Sequence, residues 1–84
     1  MAERIRFTIS RHAGRRMSQR GISATQIRLT LEQPDRVEAD ADDSSIRHAI
    51  RRFRGRFLRV VYNHVASPLR VITAFFDRRL RRKP

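Results

Sequence analysis

The chain predicts an α+β domain in which a strand and a two-helix hairpin precede a three- to four-stranded antiparallel sheet. Three observations lead there. A short run of alternating apolar residues opens the chain, two capped helical stretches follow between residues 10 and 33, and strand-like runs gather after residue 46. Helices bunched early with strands bunched late favour helices packed on one face of a sheet. With 84 residues, of which 39% are hydrophobic, there is room for one modest core. We read residues 1–77 as a single domain and 78–84 as a basic tail.

Ile5, Phe7 and Ile9 alternate with Arg4, Arg6 and Thr8, the period-two pattern of a half-buried strand over 3–9. Ser10 can cap the first helix through its hydroxyl, and Gly21 can close it in the left-handed conformation. Ser23-Ala-Thr-Gln26 reads as a capping box, with Ile22 and Ile27 at the staple positions. Ala24, Ile27 and Leu31 form the expected buried face of the second helix. Pro34 disfavours helix at Gln33 and ends it there.

Arg36 to Asp40 suits a short strand, followed by an acidic loop. Over 44–53 two readings compete. Ile46, His48 and Ile50 alternate with Arg47, Ala49 and Arg51, which favours a strand with one basic face, whereas a Ser44 or Ser45 cap would suit a helix. Arg54-Gly55-Arg56 is a turn, Phe57 to Val65 a strand rich in Val, Phe and Tyr, and Ala66-Ser-Pro68 a hairpin loop before the strand Leu69 to Phe76. If Leu58, Val60 and Tyr62 face the helices, Phe57, Arg59 and Val61 face away. The expectation is that Arg47 and Arg51 join Arg59 on that outer face, making a surface where rings stack on bases and guanidinium groups hold phosphates. Arg78 and Arg79 in the tail would add to it.

The formal charge is +12, and nineteen of the twenty basic residues are arginine. Arginine's planar fork matches phosphate oxygens, so an anionic partner is expected, RNA first and DNA second. Six of the eight acids lie between Glu32 and Asp43, which leaves the remainder more basic still. The chain has no cysteine, so disulfides and thiolate metal sites are excluded. No apolar run is long enough to span a bilayer, and a cytoplasmic protein is expected.

The first helix carries the most suggestive chemistry. His12, Arg16 and Arg20 follow at i, i+4 and i+8, one slowly drifting stripe that sets a titratable imidazole beside two permanent cations. The same spacing describes an ordinary solvated face with a capping histidine. Glu38, Asp40 and Asp42 would share one side of a strand, but short acidic runs are usually solvated loops, and no metal or cofactor is assigned. His48 reads as a satisfied inward histidine, His64 as a surface residue, and Tyr62 as a buried strand tyrosine.

Ser10-x-His-Ala-x-x-Arg-Met-x-x-Arg-Gly-Ile22 resembles the opening of a family of small bacterial and phage domains of unknown function. Arg56-Phe-Leu-Arg-Val-Val-Tyr62 and Leu69-Arg-Val-Ile-Thr-Ala-Phe75 resemble its closing hairpin. The resemblance covers residues 4–78. That family is similar in plan to the RelE, ParE and BrnT toxins of toxin–antitoxin pairs. The resemblance implies a RelE-like fold and a metal-independent endoribonuclease, or a relative without that activity. His12 would be its proton-transfer group, Arg16 and Arg20 its phosphate-holding cations, and an antitoxin with an acidic or amphipathic segment its partner. The acidic loop at 38–43 and the arginine-rich end do not map onto the family pattern. A non-catalytic basic module that binds nucleic acid or protein is the competing expectation.

Overall fold

The computed structural model describes residues 4–80. Seven elements follow in order: β1 (Phe7–Ile9), α1 (Arg11–Arg20), α2 (Ala24–Glu32), β2 (Arg36–Ala39), β3 (Ile46–Phe53), β4 (Arg56–Asn63) and β5 (Leu69–Phe76). The α+β plan of the sequence is present, and 46–53 is strand. The sheet, however, has five strands rather than three or four, in the order β1-β5-β4-β3-β2. It is mixed, because β1 returns along β5 in parallel while the other pairs are antiparallel.

Both helices form for the local reasons the sequence offers. The Ser10 hydroxyl accepts from the Ala13 N–H, and Gly21 closes α1 at φ 66° with its N–H donated to the Met17 carbonyl. Ser23 and Gln26 complete the reciprocal capping box of α2. Ile22 and Ile27 are both buried, as the staple requires. One face differs: Ala24 is exposed and Thr30 takes its place inside, its hydroxyl donating to the Gln26 carbonyl at 2.7 Å. That bond lets a polar side chain sit in the core without an unpaired group.

The first strand is shorter than its alternation suggests. The backbone of Ile5 is satisfied by α2 instead of a sheet neighbour: its N–H donates to Glu32 and its carbonyl accepts from Arg28. Residue 3, where the expected strand began, lies outside the described residues.

The core lies between the helices and one face of the sheet, built from Ala13, Met17, Ile22, Ile27 and Leu31 against Ala49, Leu58, Val60, Tyr62, Val71 and Ala74. A register shift between Val61 and Tyr62 leaves Ile72 unpaired between Val71 and Thr73. The extra residue switches the parity of β5, so Leu69 and Val71 before it and Ala74 and Phe76 after it all reach the helix side.

The pairing corrects one expectation. Arg59 lies opposite Ile50, whereas Arg47 lies opposite Tyr62 and Arg51 opposite Leu58. Directly paired residues share a face. Arg47 and Arg51 therefore stand on the helix side, at the rim of the core, and Arg59 points to the opposite face. The helix-side position of β3 at closest approach belongs to Ala49 instead.

Candidate nucleic-acid interface

Strand order separates the charges. β2 forms one edge of the sheet, and the acids of residues 35–43 cluster around it. α1 packs over β5, near the other edge, and no acidic residue lies in its first turn. Two arginine-bearing regions of different character result.

On the α1 side, His12, Arg16 and Arg20 are all exposed, as are Arg11 and Arg15, while Ala13 and Met17 face inward. Arg16 donates to the Gln19 side chain at 3.2 Å. Arg20 reaches across to the sheet and donates to the Ala74 carbonyl at 2.7 Å. This tether leaves its remaining N–H groups available. Beside it opens a pocket of about 400 Å³ lined by Arg20, Arg56, Phe75, Phe76 and Arg78. The Arg56 guanidinium lies over the Phe76 ring, 3.7 Å from its centroid. The hairpin register creates this juxtaposition, because Leu58 pairs with Phe76 and so places Arg56 just beyond the end of β5.

On the face turned away from the helices, Arg59 is only 7% exposed and Asp77 only 4%. The Arg59 Nε donates to Asp77 at 2.9 Å and its terminal nitrogen to Glu38 at 3.1 Å. The same nitrogen lies 2.9 Å from His48 Nδ1, while His48 Nε2 lies 2.8 Å from Asp40. A guanidinium can only donate, so Nδ1 accepts and the proton on the neutral ring sits on Nε2, facing Asp40. Arg79 clamps Asp77 through its backbone N–H and its guanidinium. That clamp, aided by Arg59, holds the Asp77 carboxyl far below the ordinary carboxylate range despite its burial. The hydrogen bond from His48, with backbone N–H groups of Asp42 and Asp43, lowers Asp40 as well. Arg59 and Arg79 are answered by Asp77 and Glu38, and Asp40 is held by hydrogen bonds from His48 and the backbone. The network is a structural clasp joining β2, β3, β4 and the turn after β5.

The residues singled out in the sequence are thus divided. His12, Arg16, Arg20 and Arg78 lie with the exposed α1–β5 flank. Arg59 and Arg79 belong to the clasp. Arg47 sits beside Tyr62, whose hydroxyl is pushed above its usual value by burial. Arg51 donates to the Gln33 carbonyl at the end of α2 and lies 5.6 Å from the Phe53 ring centroid. His48 is satisfied, as its alternation suggests, but faces away from the helical core. His64 binds the Ser44 carbonyl at 2.8 Å. Sequence reasoning missed Arg56; its signal was the hairpin itself, which brings Arg56 onto Phe76. The segment predicted as a tail begins as a turn over Arg78–Leu80, and residues 81–84 of it lie outside the described residues. Among the described residues no three His, Cys, Asp or Glu side chains are grouped to hold a metal ion. No helix among them is long and apolar enough to cross a membrane.

Fold and surface define a small, arginine-rich α+β domain with a charged clasp on one sheet face and a basic flank around its first helix. A family model described as a domain of unknown function, DUF4258, matches residues 9–76, and the chain belongs to that family. Comparison with curated proteins finds no match, and neither does comparison with solved structures.

Proposed function

We propose that the domain binds RNA through its α1–β5 flank and acts as a toxin-like, metal-independent ribonuclease with a RelE-like plan. The observation that carries the binding is the contrast in pairing. Among the described residues, the arginines engaged by carboxylates are Arg28, Arg36, Arg59 and Arg79. Arg11, Arg15, Arg16, Arg20, Arg56 and Arg78 are exposed and free of such pairs among the described residues. Unneutralised, clustered guanidinium groups attract a polyanion and gain from counterion release.

His12 lies on the same exposed stripe as Arg16 and Arg20, and this favours cleavage as the accompanying reaction. In it, the imidazole accepts the 2′-hydroxyl proton as that oxygen bonds to the adjacent phosphorus. The 5′ oxygen leaves with a proton from water, and a cyclic phosphate remains. The arginines hold the phosphate oxygens as negative charge builds. A toxin of this kind works in the cytoplasm beside an antitoxin, whose acidic or amphipathic segment would dock on the same cationic flank.

The test is RNA cleavage in EDTA by the parent and by His12→Ala. General acid–base groups contribute on the order of 10²–10⁴-fold to rate. The variant should lose about that much activity and keep its melting temperature and RNA affinity. A folded His12→Ala protein that cuts at the parent rate removes the catalytic role. Binding to RNA with no cleavage by the parent leaves the non-catalytic module as the function.

A further inference from the structure

The pocket at the end of α1 has a feature that charge alone does not require. A guanidinium that served only as a cation would extend into solvent, yet that of Arg56 sits over an aromatic ring, its central carbon 3.7 Å from the Phe76 centroid. Phe76 is itself anchored against the core, so its ring holds one face of the guanidinium in place. Arg56 is exposed, which leaves the opposite face of its plane open. Its N–H groups lie in that plane and point outward along the edges. Arg20, fixed by its bond to Ala74, and Arg78 stand around the same pocket with Phe75.

We propose that this pocket is a nucleobase subsite: an unpaired base of single-stranded RNA stacks on the open face of Arg56, and Arg20 and Arg78 hold the adjoining phosphates. The chemistry is specific. A guanidinium plane stacks on a base as an aromatic ring does, and a lysine at the same position supplies charge without a plane. A cavity of about 400 Å³ is of the size that small ligands occupy. Stacking needs a base splayed from its neighbours, so duplex RNA cannot use the site, whereas it can still use the cationic flank. The inference rests on the RNA-binding reading above and narrows it to single strands.

The experiment measures binding of a single-stranded oligo(A), an RNA duplex of equal charge and a heparin fragment to the parent, Arg56→Lys and Arg56→Ala. Thermal melting of each protein confirms that this exposed position leaves the fold intact. The parent should prefer oligo(A) to the duplex. Arg56→Lys should weaken oligo(A) by about tenfold, the loss expected for one stacked base, while heparin binding stays within about twofold. Arg56→Ala should weaken both ligands, and oligo(A) more. Equal losses on oligo(A) and heparin in Arg56→Lys, or no loss on either, would overturn the subsite and leave RNA binding intact. A parent that binds none of the RNAs overturns the wider reading and the subsite with it.

Discussion

Arg59 and Arg16 carry the same group and live in opposite surroundings. Arg59 sits at 7% exposure with carboxylates from β2 and from the turn after β5, and a histidine nitrogen, on its donors. Arg16 stands in solvent with one glutamine for company. The first is desolvated, so its partners are needed to keep a buried charge tolerable. The second keeps its hydration and its unspent charge, and can exchange both for a phosphate. In a chain where nearly every cation is an arginine, function follows from which ones the few acids claim. Those acids sit mostly at the β2 edge, so the clasp forms there and the α1–β5 flank stays cationic.

The largest expected effect comes from breaking the clasp. Asp77→Ala leaves Arg59 buried without its best-shielded partner, and such one-sided removals cost about 3–5 kcal/mol. That is a large share of the stability of a domain this small. Denaturant unfolding measures it. A loss below about 1 kcal/mol would mean that the clasp is ornamental and that Arg59 is as free as Arg16.

Acid should loosen the clasp in a defined direction. Asp77 is held below its ordinary value of 3.8, so it stabilises the fold fully above that pH. Its contribution drains away as pH falls beneath that value toward the lower value of the folded state, because the unfolded chain then binds the proton first. Asp40 titrates in the same sense. Unfolding followed from pH 6 down to pH 2 should show falling stability, with a shallower decline in Asp77→Asn. Parallel curves for the two proteins would contradict the assignment.

The two regions also differ in how far the sequence disclosed them. The helical hairpin was legible because Ser10, Gly21, Ser23 and Gln26 act on backbone groups a few residues away. His12, Arg16 and Arg20 were legible as a stripe for the same reason. The clasp was not, since Arg59 and Asp77 are joined only by the β4–β5 register, and Asp77 read only as the last residue before the tail. The placement of Arg47 and Arg51 failed on register too. Ile46 and Ile50 looked like core residues, yet Ile50 is buried on the face of Arg59 and Ala49 meets the helices. The parity change at Ile72 has no local sequence signature, because β4 and β5 are apolar on both faces there.

Arg20 lies between the two extremes and sharpens the contrast. Its bond to Ala74 ties α1 to β5, while the rest of its guanidinium borders the pocket. Arg20→Ala should therefore cost about 1 kcal/mol of stability and weaken RNA binding as well. Arg20→Lys, which lacks the fork, should restore part of the binding and less of the tether. Binding and unfolding measured on the same preparations separate the two contributions. A variant that lost only stability would move Arg20 into the structural class with Arg59.

The smallest effect is expected at Arg16, and it is the cleanest measure of the free class. Arg16 is exposed, and its bond to Gln19 is a surface contact, so Arg16→Ala should change stability by less than about 0.5 kcal/mol. If Arg16 meets a phosphate, its loss should appear in the salt dependence of RNA binding. Each phosphate contact on a single strand contributes about 0.7 to the slope of log affinity against log salt. The variant's slope should flatten by that amount, with a modest loss of affinity that shrinks as salt rises. The same measurement on a clasp residue is the control. Arg79→Ala removes one positive charge too, but that charge is already answered by Asp77, so the slope should barely move. Equal slopes for the parent and Arg16→Ala would show that exposure alone does not recruit an arginine to RNA. The binding surface would then have to be sought beyond the α1 stripe, starting at Arg56 and Arg78.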